Sequence, residues 1–522
     1  MVQFDPLSPQ LFIGNHYVPS QGDARDIINP STLDRCGRIA DATQTEIDQA
    51  LACAEAARTA WARLDAKSRA QLLHALAQSI ESVDTHDVAR LMTLEVGKPY
   101  PEAVGELANV APVFRYYAEI ARDDAGKIAG PIQTGSFQYT RYFPYGISVH
   151  IVPYNFPILL MAWTLAASLA AGNVAIVKPA EAGSLCTLKF MEHFRVLPPG
   201  VVNLLTGGAA VGKALVESSR THVVAFTGSV AAARSVAASC GTQLKPCLIE
   251  AGGNDPLIVS DKAPLEVAIA GSVTAAFHLS GQICTSAERF LVHENVHDAF
   301  VHGLVRGARA LRVGDGLGEN EIGPLVSRAA REKVIGLVND AIAKGAKLHT
   351  GGRIPPQLSN GWFYEPTVLI GVTPDMPIFN QELFGPVAAI CKVKSFAEAI
   401  VLANRSEFGL GANVFTADLA EAMQAVEEIE AGMVWVNNPL IDNDALPFGG
   451  WKNSGIGRSL SRHGLDAFRQ SKMAVIDAQP HLHDWWYPYP AKDFYPRVKD
   501  GSSAKSQPKS RKKKGSKLRC VS

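Results

Sequence analysis

The sequence predicts an α/β protein built from doubly wound parallel sheets, and three observations carry that prediction. Five short apolar runs follow one another: VAIVKP (174–179), VVNLLTG (201–207), HVVAFTG (222–228), PCLIEAGG (246–253) and DPLIVSD (255–261). Helix-like stretches follow each of the first three, the βαβ rhythm of a parallel sheet with helices on both faces. Two of the runs end in glycine-rich turns, and the alternation resumes from Pro264 to about Gly450 between further glycine-rich breaks. A chain of 522 residues has room for two or three domains, so a second α/β domain is the simple reading.

The remaining elements follow in chain order. The first part, to about Arg122, reads as mostly helical. Thr43-Gln-Thr-Glu46 has the form of a capping box opening an Ala-rich helix to Ala62, and a second helix runs from Lys67 to about Ser82. Residues 138–142 and 147–151 are rich in β-branched and aromatic types, with Pro144 and Gly146 between them, and read as strands joined by a turn. The longest apolar run, 158–171, is too short to cross a bilayer and reads as a buried helix. From about Gly501 the chain is polar and basic, with no apolar pattern, and is expected to be disordered.

Composition excludes several classes. Hydrophobic residues make up 47% and charged residues 19%, and formal net charge is zero, so nothing in the average points to nucleic acid or membrane. The charge is unevenly placed. Eight basic and no acidic residues follow Asp500, which could contact an anionic partner such as nucleic acid or a membrane surface. Eight cysteines are scattered without CxxC or Cys/His ligand spacing, the usage of a reducing compartment, and no metal is expected. HLHD (481–484) offers two histidines without further ligands and reads as surface. The N-terminus lacks a basic start and apolar run, so a cytoplasmic location is expected.

Several short motifs have a chemical reading. TGGAAVG (206–212) and FTGSVAAAR (226–234) each place a glycine turn before a helix N-terminus, where backbone N–H groups and the helix dipole favour phosphate. Neither is GxGxxG, and each reads also as a tight βα turn. In KPAE (178–181), Lys178 and Glu181 sit at the ligand edge of a parallel sheet. They can hold ribose hydroxyls or form an exposed ion pair. In PYNFP (153–157) two prolines fix the backbone around Asn155, which suits an oxyanion donor or a cap on the helix beginning near Ile158. Glu250 in EAGG (250–253) follows apolar residues, and desolvation would raise its pKa toward that of a general base. Cys284 in GQICTSAER (281–289) is either a nucleophile or a small buried hydrophobe.

PYNFP, KPAE, FTGS, EAGG, GQICTSAER, QELFGPV (381–387) and PFGGWKNSGIGR (447–458) occur in the order and approximate spacing of the aldehyde dehydrogenase superfamily. The resemblance runs from about Leu11 to Val475 and includes INPSTLDRCGRIADAT (28–43). It implies an NAD-dependent oxidoreductase, with NADP as the alternative cofactor. Cys284 then matches the nucleophile, Glu250 the general base, and Asn155 with the Cys284 backbone N–H the oxyanion hole. Lys178 and Glu181 match the ribose-binding pair, Gly207, Phe226, Gly228 and Ser229 the cofactor turns, and Glu382 and Phe384 the nicotinamide side. The implied route is a Cys284 thiohemiacetal, then a thioester hydrolysed by water that Glu250 activates. A carboxylate at position 250 favours water over coenzyme A as acyl acceptor. Glu181 favours NAD, because it repels a 2′-phosphate. Tyr154, Ala251 and Asn254 depart from the residues usual at those positions and touch no catalytic role.

The resemblance also implies a domain plan. Residues 1–122 and 143–250 form the NAD-binding domain, 251–453 the catalytic domain, and 123–142 with 469–478 a β oligomerisation arm of a homodimer or homotetramer. The substrate tunnel falls on Phe156, Leu160, Trp163, His278, Ile283, Thr285 and Phe448, with Glu106, Asn109, Leu440 and Asp442 near its mouth. Two substrate classes stay open: broad aliphatic or aromatic aldehydes, and a cationic aminoaldehyde held by aromatic and acidic groups. A silent scaffold with a binding tail is the non-enzymatic alternative.

Overall fold

In the computed structural model, which describes residues 3–83, 85–123, 126–483 and 485–488, all five apolar runs are strands. Four of them join Ile147–Val152 in one eight-stranded sheet. Its order is His16–Pro19, Gln10–Ile13, Val202–Leu204, Val174–Pro179, Ile147–Val152, Val223–Thr227, Cys247–Glu250, Gly455–Ile456. The five central strands are parallel. The Val174–Pro179 strand is buried at every position, as a strand covered on both faces must be. The Leu159–Ala171 helix is buried at every position from Leu160 to Ala170, which is why its sequence shows no polar stripe.

The fifth run, Asp255–Val259, begins a second sheet of seven strands. Its order is Lys347–Thr350, Thr367–Ile370, Val387–Val393, Ala287–His293, Asp255–Val259, Gly411–Phe415, Met433–Val436, parallel except for the first strand. The two sheets meet through residues 251–254.

Register aligns the ligand edge of the first sheet. Ile151 pairs with Lys178 and with Phe226, and Thr227 pairs with Glu250. The C-terminal ends of four adjacent strands therefore open at one level.

Two expectations are corrected. The first 40 residues are not helical; they hold four strands, Gln10–Ile13, His16–Pro19, Ala24–Ile28 and Arg35–Ala40. Gly14 and Asn15 between the first two are both left-handed (φ 58° and 67°), the two-residue turn that suits a hairpin. Helices begin only at Gln44. The second correction concerns Ser136–Pro144 and Ile147–Val152, which are strands but not hairpin partners. Ile147–Val152 is an interior strand of the parallel sheet, and Ile128–Ala129 pairs antiparallel with residues 138–139.

Contacts divide the chain into two units. Residues 1–127 and 140–473 hold both large sheets; residues 128–139 and 474–522 form the second unit. In the second unit, His481 and His483 turn toward Asp477 at 3.5 and 3.8 Å, while His481 Nδ1 already meets the Gln479 carbonyl at 3.0 Å. The basic tail and most of the aromatic segment before it lie outside the described residues. Among the described residues no helix is long and apolar enough to cross a membrane.

The capping box is present and extended. The Thr43 hydroxyl accepts from Glu46 N, and Glu46 accepts from Thr43 N at 2.7 Å, from Gln21 N at 2.7 Å and from the Ser20 hydroxyl at 3.1 Å. Glu46→Ala removes these three contacts and a fourth, from the Thr43 hydroxyl at 2.9 Å, and should cost about 1–3 kcal/mol, read as a lower urea midpoint at unchanged m.

Candidate active site

A cavity of about 960 Å³ opens along the aligned strand ends. Of the residues the sequence points to, Asn155, Leu160, Trp163, Lys178, Glu181, Phe226, Gly228, Ser229, Glu250, Cys284, Glu382, Phe384 and Phe448 line it. They come from seven separated segments. The adjacency is made by the register of the sheet and by the crossing at 251–254. There a Cβ on Gly253 would stand 2.4 Å from the Cys284 carbonyl oxygen, and one on Gly252 would stand 2.2 Å from Glu382 Oε1. The two glycines of EAGG are what let Cys284 and Glu382 approach.

Five of the named residues do not line the cavity. Gly207 (φ 137°) makes a turn in which a Cβ would stand 2.5 Å from the Val211 side chain. Ile283 and Thr285 are buried on either side of Cys284. The Phe156 ring lies under the Lys98 ammonium, 4.2 Å from its centroid. His278 sits 3.1 Å from Glu102. Of the four tunnel-mouth residues, Glu106 is not a solvated acid: it is 3% exposed and ion-paired with Lys98. Asn109 bonds back to the Gly105 carbonyl of its own helix, whereas Asp442 is exposed.

The local alternatives also resolve. Asn155 does not cap a helix. Its Nδ2 donates to the Gln282 carbonyl at 3.0 Å, across 127 residues, and leaves a second N–H free of that bond. Lys178 is 5% exposed, so it is not half of a solvent-exposed ion pair. Arg25 sits beside Glu181: a Cβ on Gly208 would stand 3.2 Å from Glu181 Oε1 and 3.3 Å from Arg25 Nη2.

Burial controls the electrostatics. It pushes the Glu250 carboxyl up to about 8, against a hydrogen bond from the Ser459 hydroxyl at 3.1 Å that favours the charged form. It raises Glu382 to about 7, with the nearby Glu288 charge adding to the effect. The Cys284 thiol is held well above its usual range, first by burial and then by the carboxylates of Asp255, Glu250, Asp442 and Glu382.

Sequence reading missed the residues that brace these groups. Glu288 and Arg289 stand inside GQICTSAER. Glu288 accepts from Leu383 N at 2.8 Å, Phe384 N at 2.7 Å and Asn254 Nδ2 at 2.9 Å, and so holds the 382–384 loop, where Phe384 is left-handed (φ 54°). Arg289 donates to the carbonyls of Asn254, Leu402 and Ala403. Two adjacent charged residues in an otherwise apolar strand were the available signal. Ser459, 209 residues from Glu250, had none.

Residues 17–474 match the aldehyde dehydrogenase family. The chain belongs to that family. It is 37% identical over 473 residues to betaine aldehyde dehydrogenase of Brucella anthropi, covering 89% of this chain and 96% of that one. It is 36% identical over 490 residues to aminoaldehyde dehydrogenase ALDH10A8, chloroplastic, of Arabidopsis thaliana, covering 91% and 98%. A crystal structure of betaine aldehyde dehydrogenase from Staphylococcus aureus in complex with NAD+ superposes with a TM-score of 0.89 at 30% identity, covering 92% of this chain and 97% of that one. The α/β architecture and the oxidoreductase class, acting on aldehydes, follow from this membership.

Removing one of the carboxylates that face the thiol should ease its ionisation. In Asp442→Asn the Cys284 pKa falls, so at a fixed pH between 8 and 9 more thiolate is present. Iodoacetamide should label Cys284 about two- to fivefold faster than in the parent, as read by peptide mass spectrometry.

Proposed function

We propose that this aldehyde dehydrogenase oxidises a cationic aminoaldehyde to its carboxylic acid with NAD, through a covalent adduct on Cys284. The observation that carries the reading is the convergence of Cys284, Glu250 and Asn155 on one cavity from three distant segments. The rest of the cavity fits a dinucleotide. Ser229 caps the Val230–Thr242 helix, so the Gly228–Ser229 turn presents a helix N-terminus to a diphosphate. The buried Lys178 ammonium calls for polar partners, which ribose hydroxyls supply with Glu181. Glu382 and Phe384 would hold the nicotinamide end. The chemistry NAD supplies when bound is acceptance of a hydride. Glu181 favours NAD, and Arg25 beside it is the group that would tolerate a 2′-phosphate.

The chain's own residues do the rest. The Cys284 thiol ionises by giving its proton to one of the carboxylates around it. Sγ then adds to the aldehyde carbon, and the free Asn155 N–H with the Cys284 backbone N–H donates to the oxyanion. Loss of hydride leaves a thioester on Sγ. Glu250, with a pKa near 8, takes a proton from water; hydroxide adds to the thioester carbon, and Cys284 leaves as thiolate with release of the acid.

Support for a cationic substrate comes from two sides. The Trp163 and Phe448 rings line the cavity with centroids 4.7 Å apart, and the Asp442 charge acts on Cys284 from an exposed loop. The relatives named above are betaine aldehyde and aminoaldehyde dehydrogenases. Among the described lining residues there is no arginine to pair with a carboxylated semialdehyde.

The two sheets support the assignment of 1–122 with 143–250 to the nucleotide and 251–453 to the catalytic domain. The strands at 128–129 and 136–144 support an arm for a homodimer or homotetramer. The seven described cysteines are all free, which suits a reducing, cytoplasmic setting.

Two measurements check the reading. NADH formation should be fastest with ω-amino or trimethylammonium aldehydes and absent in Cys284→Ala. A flat response across aliphatic and aromatic aldehydes would favour the broad-specificity enzyme instead. The rate should rise with pH through a limb near 8, where Glu250 loses its proton. Ser459→Ala removes a hydrogen bond to the charged form, so the limb should move to higher pH.

A further inference from the structure

One short helix reaches both halves of the catalytic centre, and the sequence reading assigned it no such role. In Tyr100–Ala108, Glu102 and Glu106 are four residues apart and share a face. Glu106 Oε1 accepts from the backbone N–H of Ile158 at 2.9 Å and Leu159 at 3.0 Å. It thereby caps the helix that follows Asn155, where Ile158 supplies no side-chain cap of its own. Its other oxygen pairs with Lys98, and both side chains are fully buried. The Lys98 ammonium in turn rests on the Phe156 ring, one residue from Asn155.

Glu102 acts on the other strand of the site. Its Oε1 accepts from Leu279 N at 3.2 Å and faces His278 Nδ1 at 3.1 Å. That is the entry to the loop carrying Cys284, where Leu279, Ser280 and Gly281 stand consecutively left-handed at φ 51°, 56° and 70°. Two non-glycine residues in that region cost free energy and hold only when anchored. Glu102 anchors this stretch together with the Ser280 hydroxyl, which donates to the Gly323 carbonyl at 2.9 Å.

We propose that Glu102 and Glu106 are positioning residues that set the Cys284 loop and the Asn155 loop against one another from a single helix. The proposal rests on the assignment of Cys284 and Asn155 as nucleophile and oxyanion donor. Neither glutamate touches substrate or cofactor; each works through backbone N–H groups of the loop it holds. An acceptor, not a charge, is what each loop needs.

That distinction makes the test. Lys98→Met/Glu106→Gln keeps a carbonyl acceptor and removes the buried ion pair; Lys98→Met/Glu106→Leu removes both. Glu102→Gln and Glu102→Leu form the second pair. The glutamine variants should keep kcat within about threefold of the parent. The Lys98→Met/Glu106→Leu variant should lose about 10- to 100-fold in kcat, with aldehyde KM, NAD affinity and the rate of Cys284 alkylation by iodoacetamide little changed. Glu102→Leu should lower kcat and alkylation together. Leucine variants that bind NAD and turn over like the parent would overturn the proposal. So would glutamine variants as impaired as the leucine ones, and so would loss of NAD binding in the leucine variants, which would show a general scaffold role. Failure of the catalytic assignment shows separately, as turnover by Cys284→Ala.

Discussion

The structure depends on one close crossing of the chain. Residues 251–254 leave the first sheet at Glu250 and enter the second at Asp255, and in that span the backbone passes within contact of the Cys284 carbonyl and the Glu382 carboxylate. At 253 a Cβ would meet backbone, so glycine is required there, and at 252 it would displace the Glu382 carboxylate. Because the crossing is so close, Glu250 at the end of the first sheet and Cys284 leading into the second line one cavity. The crossing is tied down from a third direction. Ala251 N donates to the Ser454 carbonyl, and the Ser454 hydroxyl bonds the Gly252 carbonyl and Gly409 N.

The same closeness sets the electrostatics. Four carboxylates act on the partly buried Cys284 thiol, so the resting site disfavours the thiolate. The buried carboxylates are themselves disfavoured, Glu250 and Glu382 being raised into the neutral range. A positive charge brought into the site favours every ionised carboxylate and the thiolate at once. A cationic substrate and a cationic cofactor ring are both favoured by this field. The physical demand of the site and the proposed substrate class agree for that reason.

Around this centre three buried or partly buried glutamates brace the loops through backbone N–H groups, while Arg289, Asn155 and Ser280 brace them through carbonyls. Glu288 holds 383–384, Glu106 holds 158–159 and Glu102 holds Leu279. A buried carboxylate that accepts two N–H groups fixes a loop more tightly than apolar packing does, because it specifies direction as well as contact. Leu279, Ser280, Gly281 and Phe384 stand left-handed in these loops, and such bracing holds that strained backbone in place.

The sequence by itself determined the α/β class, the parallel strands, the buried Leu159–Ala171 helix and the capping box at Thr43. Each depends on local pattern, such as apolar periodicity or a glycine turn. Its motifs, through their resemblance to a known family, also pointed to Cys284, Glu250 and Asn155, whose local patterns alone left two readings each. The tertiary structure alone decided which lining residues reach the cavity, that Glu106 is a buried cap and not a mouth acid, and that the strands before and after Gly146 do not pair. It alone revealed Ser459, Glu288, Arg25 and the Lys98–Glu106 pair. Those features join residues from 8 to 209 positions apart. A single sequence shows that a charge is present but not what it is buried against, because burial and partnership are properties of the packed chain.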